Sequence, residues 1–247
     1  MTSAVTPTPG AKMIYLIKRR PTASREELVA NWFANHMPAV IAGQHAQRER
    51  GRVHAWRYIA TLFDAQRDGT HPWDGMAQLS FDEVVPAPPV PHGTEPADTF
   101  QQKAEPYSPW ATTEHVVIDG AGVPALEVRP NTLNDPFPCT RSGYLKVTFL
   151  VGAQDGIDHD AFHRHWLEVH VPNVREVMGR VGGLRYVVSH SVEPGTAPYG
   201  GMAELWFPDA EVFKAFNATI EPDGMERFTQ ADRTLVLRSS TEMIGIP

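Results

Sequence analysis

Apolar and polar positions along the chain change period in a recurring order. From Tyr144 to Val151 the residues are mostly β-branched, aromatic or aliphatic, which predicts a buried strand. Asp158 then stands as a helix cap, and Phe162, Trp166, Val169 and Val177 recur at helical spacing to make one apolar face. Two alternating runs, Leu184 to Val192 and Gly200 to Phe207, predict further strands. A second helix runs from about Asp209 with a break at Pro222, and a last strand lies near Thr234 to Arg238. The first half has the same order. Its first strand is Lys12 to Ile17, its helix starts after Ser24 with Glu27 completing a capping box, and two strands follow at Arg52 to Leu62 and Asp74 to Phe81. A short helix near Thr99 to Lys103 and a strand at His115 to Ile118 complete it.

The likeness of the halves extends to residues. With an offset of 134 positions, Lys12 to Ile17 lies over Lys146 to Val151, and Asn31 to Val40 lies over His165 to Val174 without a gap. The shared signature is Trp, His four residues on, and Pro two beyond that: Trp32, His36 and Pro38, then Trp166, His170 and Pro172. After small shifts, Gly75-Met76-Ala77-Gln78-Leu79 meets Gly201-Met202-Ala203-Glu204-Leu205. Strand, helix, strand, strand, helix, strand is the split βαβ, or ferredoxin-like, unit. We expect a first repeat over residues 12–119, a linker over 120–143 and a second repeat over 144–240. Between residues 86 and 138 lie 11 of the 22 prolines. They predict an extended insertion at Pro86 to Pro96 and a linker held to the surface by Leu126, Val128, Leu133 and Phe137.

The second repeat resembles the EthD family of the dimeric α/β-barrel superfamily, through its first strand, its Trp-x-x-x-His-x-Pro helix and Tyr199 to Phe207. The first repeat resembles it more weakly. The resemblance implies an α+β fold in which two tandem ferredoxin-like units form an intrachain dimeric α/β-barrel, a dimer fused into one polypeptide. Further homodimerisation stays open. The resemblance also implies side chains of each sheet's open face as the candidate site. A fold shared by cyclases, isomerases, dehydratases, decarboxylases, monooxygenases and haem peroxidases names no reaction.

Composition narrows the partners. With 22 Lys+Arg against 29 Asp+Glu the net charge is −7, so a general nucleic-acid binder is disfavoured. One cysteine, Cys139, excludes an intrachain disulfide and a paired-cysteine zinc site, and suggests a reducing compartment. Thr2 to Gly10 lacks the basic start and apolar stretch of a secretory signal, and no apolar run approaches membrane-spanning length, so we expect a cytoplasmic protein without membrane contact. There is no Walker loop, nucleophile elbow or dinucleotide fingerprint after a strand.

Chemistry then rests on side chains. His170 and His36 each follow a buried-type Trp by four residues and precede a helix-disturbing Pro, so a loosened turn lets each imidazole face a cavity and move protons. Packing against neighbouring backbone is the alternative. Tyr186 and Tyr58 occupy matching strand positions where a phenol can hold a developing oxyanion, or pack with its hydroxyl in water. On the same alternating faces lie His190 with Tyr186, and His54 with Trp56 and Tyr58. His159, His163 and His170 form one helical stripe too long for a single ion, so no metal and no cofactor are expected. Lys12 and Lys146 match as sheet-end charges. With the resemblance, these residues suggest a cofactor-independent lyase or isomerase, of cyclase, dehydratase or decarboxylase type, acting on a small apolar carbonyl, aromatic or polyketide-like compound. A cofactor-free monooxygenase and a non-catalytic small-molecule-binding protein are the rivals.

Overall fold

A β-rich start and a capped helix open each repeat as the apolar periods predict. The computed structural model describes residues 5–65 and 72–247, so positions 2–4 of the N-terminal stretch lie outside the described residues. The strands are β1 (Ala11–Ile17), β2 (Arg57–Leu62), β3 (Gly75–Phe81), β4 (Trp110–Ile118), β5 (Cys139–Val151), β6 (Arg185–Ser191), β7 (Gly201–Phe207) and β8 (Leu235–Ile246). The helices are α1 (Arg25–Asn31), α2 (Met37–Glu49), α3 (Thr99–Lys103), α4 (His159–His165), α5 (Val171–Val181) and α6 (Ala210–Thr219). Hydrogen bonds link the strands in the closed order β1-β3-β2-β8-β5-β7-β6-β4. The fold is therefore the expected α+β barrel of two tandem ferredoxin-like units.

Three strands run further than the sequence pattern predicts. β4 starts at Trp110, β5 starts at Cys139 within the expected linker, and β8 continues to Ile246. Each carries polar residues that mask its alternation, and ladder hydrogen bonds rather than side-chain pattern extend it. Of the linker residues expected to pack, Leu126 is buried and Leu133 is fully exposed.

The chain divides into two compact units, one of residues 10–111, 127–142 and 241–247, the other of 1–9, 112–126 and 143–240. In the first unit β3 pairs antiparallel with both β1 and β2, and Thr241 to Ile246 of β8 pairs with β2. In the second, β7 pairs with β5 and β6, and Thr112 to Ile118 of β4 pairs with β6. Each unit thus covers the edge of its second strand with the last strand of the other repeat, which leaves no free edge there.

Helices pack on one face of each sheet. In the first unit Leu28, Trp32 and Met37 meet Tyr58, Ala77, Leu79, Phe100 and Met243. In the second, Phe162, Trp166, Val171 and Val174 meet Tyr186, Val188, Leu205, Phe213 and Phe216. Ser24 and Glu27 close the predicted capping box, and Asp158 and Asp209 cap α4 and α6. Between α1 and α2, and between α4 and α5, lies one π-helical turn, Trp32–His36 and Trp166–His170. The cause is the following proline, which has no N–H and crowds the carbonyl four residues back. The amides of Met37 and Val171 reach instead to the carbonyls of Trp32 and Trp166, five residues back. The indole edges rest on Gly75 and Gly201, where an added Cβ would stand 3.0 and 2.8 Å from the ring.

The outer sheet positions correct two site expectations. His54 precedes β2 rather than sharing its face with Tyr58, and its Nδ1 lies 2.9 Å from the Arg52 carbonyl. His190 does share the face of Tyr186, but it is core. Its ring stacks on His163 at 4.2 Å, with centroid distances of 5.0 Å to Trp166 and 5.2 Å to His115. His163 Nε2–H donates to the Gly200 carbonyl at 3.2 Å. Burial, then the neighbouring His163 and His115, push His190 down to about 2. It stays neutral at physiological pH, which removes it as a proton shuttle. Lys146 is likewise no solvated sheet-end charge: it is buried, 2.7 Å from the Glu204 carboxylate and over the Trp206 ring.

Two outcomes follow for stability. Met243→Ala, in the borrowed strand, should cost about 2–5 kcal/mol in denaturant unfolding, as an interior core truncation does; an unchanged midpoint would mean that β8 is not part of the first unit's core. His190 should also make the protein acid-sensitive. Its folded pKa lies below the unfolded value of about 6.5, so the unfolded chain binds the extra proton and stability falls as pH drops below that value, by about 1.4 kcal/mol per unit. His190→Phe should flatten unfolding free energy against pH between about 6.5 and 4, and a slope equal to that of the parent protein would refute the assignment.

Candidate functional site

The π turn delivers its tryptophan and histidine to one cavity in each unit. In the second repeat the cavity measures about 250 Å³, and Trp166, His170 and Tyr186 share it with Phe149, Leu205, Phe216 and Met225. His170 Nδ1 lies 2.8 Å from Oδ2 of Asp223, which also accepts from Asn173 Nδ2 at 2.8 Å, while Oδ1 accepts from the Met225 amide at 3.2 Å. Burial works against ionisation of Asp223. The Asn173 bond, the charge and hydrogen bond of His170 and the Met225 amide outweigh it and hold the carboxyl below its ordinary range. An ionised Asp223 only accepts, so Nδ1 carries the proton and Nε2 is left as a base.

The first repeat repeats the motif with other parts. His36 Nδ1 lies 2.6 Å from Oδ2 of Asp98, whose Oδ1 caps α3 through the Gln101 amide at 2.8 Å. The cavity measures about 180 Å³ and is lined by Trp32, His36, Tyr58, Tyr15, His92 and Tyr107, among others. Tyr15, Gln44, Leu79 and His92 also line a wider groove of about 770 Å³, walled by Val85, Pro86 and Pro88 of the proline-rich insertion. Burial raises Tyr15 and Tyr107 to about 12, and burial, followed by the nearby His36, lowers His92.

One difference separates the two sites. In the first repeat the Trp32 indole N–H donates to the Tyr58 hydroxyl at 3.0 Å, and both groups are buried. In the second, Trp166 still bears on the Tyr186 hydroxyl, yet the pair does not reach hydrogen-bond geometry, and neither Trp166 Nε1 nor the Tyr186 hydroxyl has a partner. Burial raises both phenols well above their ordinary value.

His170 and Tyr186, and His36 and Tyr58, are thus brought together in pairs, one pair per cavity; His190 lies beside Trp166 outside the cavity's lining, and His54 is in neither cavity. Sequence reading missed the two aspartates. His36 precedes Asp98 by 62 residues and His170 precedes Asp223 by 53, so the repeat alignment does not superpose them. Their signals are local: Asp98 opens the short helix and Asp223 sits in a Pro-Asp-Gly turn. Of the other large aromatics, Phe81 lines the wider groove of the first repeat, and Trp73, Trp110, Trp206 and Phe207 line neither cavity.

Among the described residues no group of three His, Cys, Asp or Glu could hold a metal ion, and no helix is long and apolar enough to cross a membrane. No curated protein matches the chain. Solved structures match along most of its length. An anthrone oxidase-like protein matches with a TM-score of 0.55 at 9% identity, over 96% of this chain and 92% of that one. A chlorite dismutase variant from Candidatus Nitrospira defluvii matches at 0.46 and 11%, over 94% and 92%. A haem-binding protein from Thermus thermophilus matches at 0.39 and 12%, over 97% and 92%. These likenesses concern the fold. The one above a TM-score of 0.5 is to an oxidase-like protein, and the expectation of a cofactor-independent lyase or isomerase is corrected accordingly. Haem itself does not fit the second-repeat cavity. About 250 Å³ is under the roughly 300–1,000 Å³ usual for drug-sized ligands, and none of the lining residues is a Lys or Arg to pair with propionates. The family model described as EthD domain matches residues 154–232, the stretch that holds the Trp-x-x-x-His-x-Pro turn and the glycine-opened β7 of this cavity, and over that stretch the chain is similar to an EthD domain.

Proposed function

We propose that the protein is an oxidase for a small, largely apolar aromatic compound bearing a carbonyl or phenolic oxygen, and that the second-repeat cavity is its working site. The observation that carries this reading is the His170 ring beside an apolar cavity with Nδ1 held by the Asp223 carboxylate. A buried carboxylate fixes the tautomer and stabilises the imidazolium that forms when Nε2 accepts a proton. The proton leaves an acidic C–H next to the substrate's carbonyl, and the electron pair of that bond moves onto the substrate oxygen. Dioxygen then takes two electrons from this enolate, the first proton from the His170 imidazolium and a second from the adjacent carbon, whose C–H bond breaks as a new C=C bond forms, and leaves as hydrogen peroxide while the substrate departs oxidised by two electrons. Likeness of fold to an anthrone oxidase-like protein supports this choice of oxidant.

The cavity explains selection by size and polarity. Phe149, Leu205, Phe216, Ile220 and Met225 exclude water and favour a flat apolar body. The hydroxyls of Thr229 and Thr234 donate to the Met225 and Gln230 carbonyls, so they offer no donor to a ligand.

An oxygen electrode with a panel of C–H-acidic aryl ketones tests the reading. Uptake of dioxygen matched by peroxide should be lost by about 10²-fold or more in His170→Ala, and reduced in Asp223→Asn, which leaves the ring without its acceptor. Turnover of the panel without dioxygen uptake, or full activity in His170→Ala, would exclude it.

A further inference from the structure

We infer that the Trp166 indole N–H and the Tyr186 hydroxyl are paired donors for a single acceptor oxygen on the ligand, and that this makes the second repeat selective for ketones where the first repeat is not. The inference deepens the reading of the second-repeat cavity as the working site, but it does not depend on the reaction with dioxygen.

The argument starts from the cost of an unmade hydrogen bond. Trp166 and Tyr186 are essentially inaccessible to solvent, and leaving a buried donor without a partner costs on the order of 1–3 kcal/mol. Few such groups occur in native proteins unless something else satisfies them. Here two of them line the same cavity, and both are unpartnered. The first repeat supplies the control. Its Trp32 and Tyr58 occupy the equivalent positions, and there the indole N–H is taken by the Tyr58 oxygen at 3.0 Å. The same two residue types on the same elements have the indole donor engaged in one unit and both donors without a partner in the other.

Donor chemistry then sets the ligand class. An indole N–H only donates, so what it meets must accept. Two neutral donors suit a carbonyl oxygen, or the enolate oxygen it becomes after loss of a proton, because charge on that oxygen strengthens both bonds. Carboxylates and phosphates suit the site poorly, since no Lys or Arg is among the residues lining it. His170, also at the cavity, is committed through Nδ1 to Asp223 and leaves Nε2 for the proton.

Calorimetric titration of the full-length protein, without dioxygen, tests this with 1-tetralone and with tetralin, its hydrocarbon counterpart lacking the oxygen. The parent protein should bind 1-tetralone more tightly than tetralin, at one site per chain. Trp166→Phe and Tyr186→Phe should each weaken 1-tetralone by roughly tenfold, the equivalent of one hydrogen bond, and leave tetralin within about twofold. Trp32→Phe should leave 1-tetralone binding unchanged. A parent protein without preference for the ketone would overturn the inference. So would equal losses for both ligands in the second-repeat variants, which is the mark of packing or misfolding, or a Trp32→Phe loss as large as that of Trp166→Phe. Ketone selectivity that persists while the oxygen electrode shows no uptake would end the oxidase reading and leave the donor pair standing.

Discussion

A proline without a backbone hydrogen organises both repeats. Pro38 and Pro172 remove one donor from the middle of a long helix and crowd the carbonyl behind them, and the helix widens into a five-residue π turn at each place. That turn begins with the tryptophan that packs on the sheet and ends with the histidine that meets an aspartate. A straight α-helix would keep the same residues but not this spacing of their backbone bonds. The glycine of the third strand in each repeat completes the arrangement, since a methyl group there would press on the indole.

On this common frame the two sites diverge through small polar differences. The aspartate that holds the histidine comes from the start of a short helix in one repeat and from the turn after a longer helix in the other. Both placements bring a carboxylate to Nδ1, but only that of the second repeat is also bound by a side-chain amide, Asn173. The tryptophan donor is taken by the tyrosine oxygen in the first cavity, and neither the indole nor the phenol has a partner in the second. The first cavity is smaller, more tyrosine-lined and continuous with a proline-walled groove; the second is larger and more apolar. A duplicated scaffold thus carries two chemically unlike cavities.

Buried polar groups elsewhere serve the fold. His190 is kept neutral by burial and stacked on His163, and Lys146 is paired with Glu204 beneath Trp206. A buried ion pair such as Lys146–Glu204 costs stability unless it is matched, and its matching fixes how β5 and β7 align. The two cavities lie on the helix-facing side, where the π turns are.

The sequence by itself determined the repeat, the order of elements and the fold class, because apolar periodicity and caps are local signals: Ser24 with Glu27, Asp158 and Asp209 all cap the helices they predict. It also singled out His36, His170, Tyr58 and Tyr186, because duplication places them in register. It misjudged His54 and His190, since strand alternation tells which face a residue is on but not where the strand begins or how deeply the face is covered. Only the tertiary structure brought Asp98 and Asp223 to the histidines, across 62 and 53 residues of unlike chain, and exchanged the last strands between the repeats. Those contacts depend on how helices and loops close over a sheet, and no period in the chain encodes a distance between side chains so far apart in sequence.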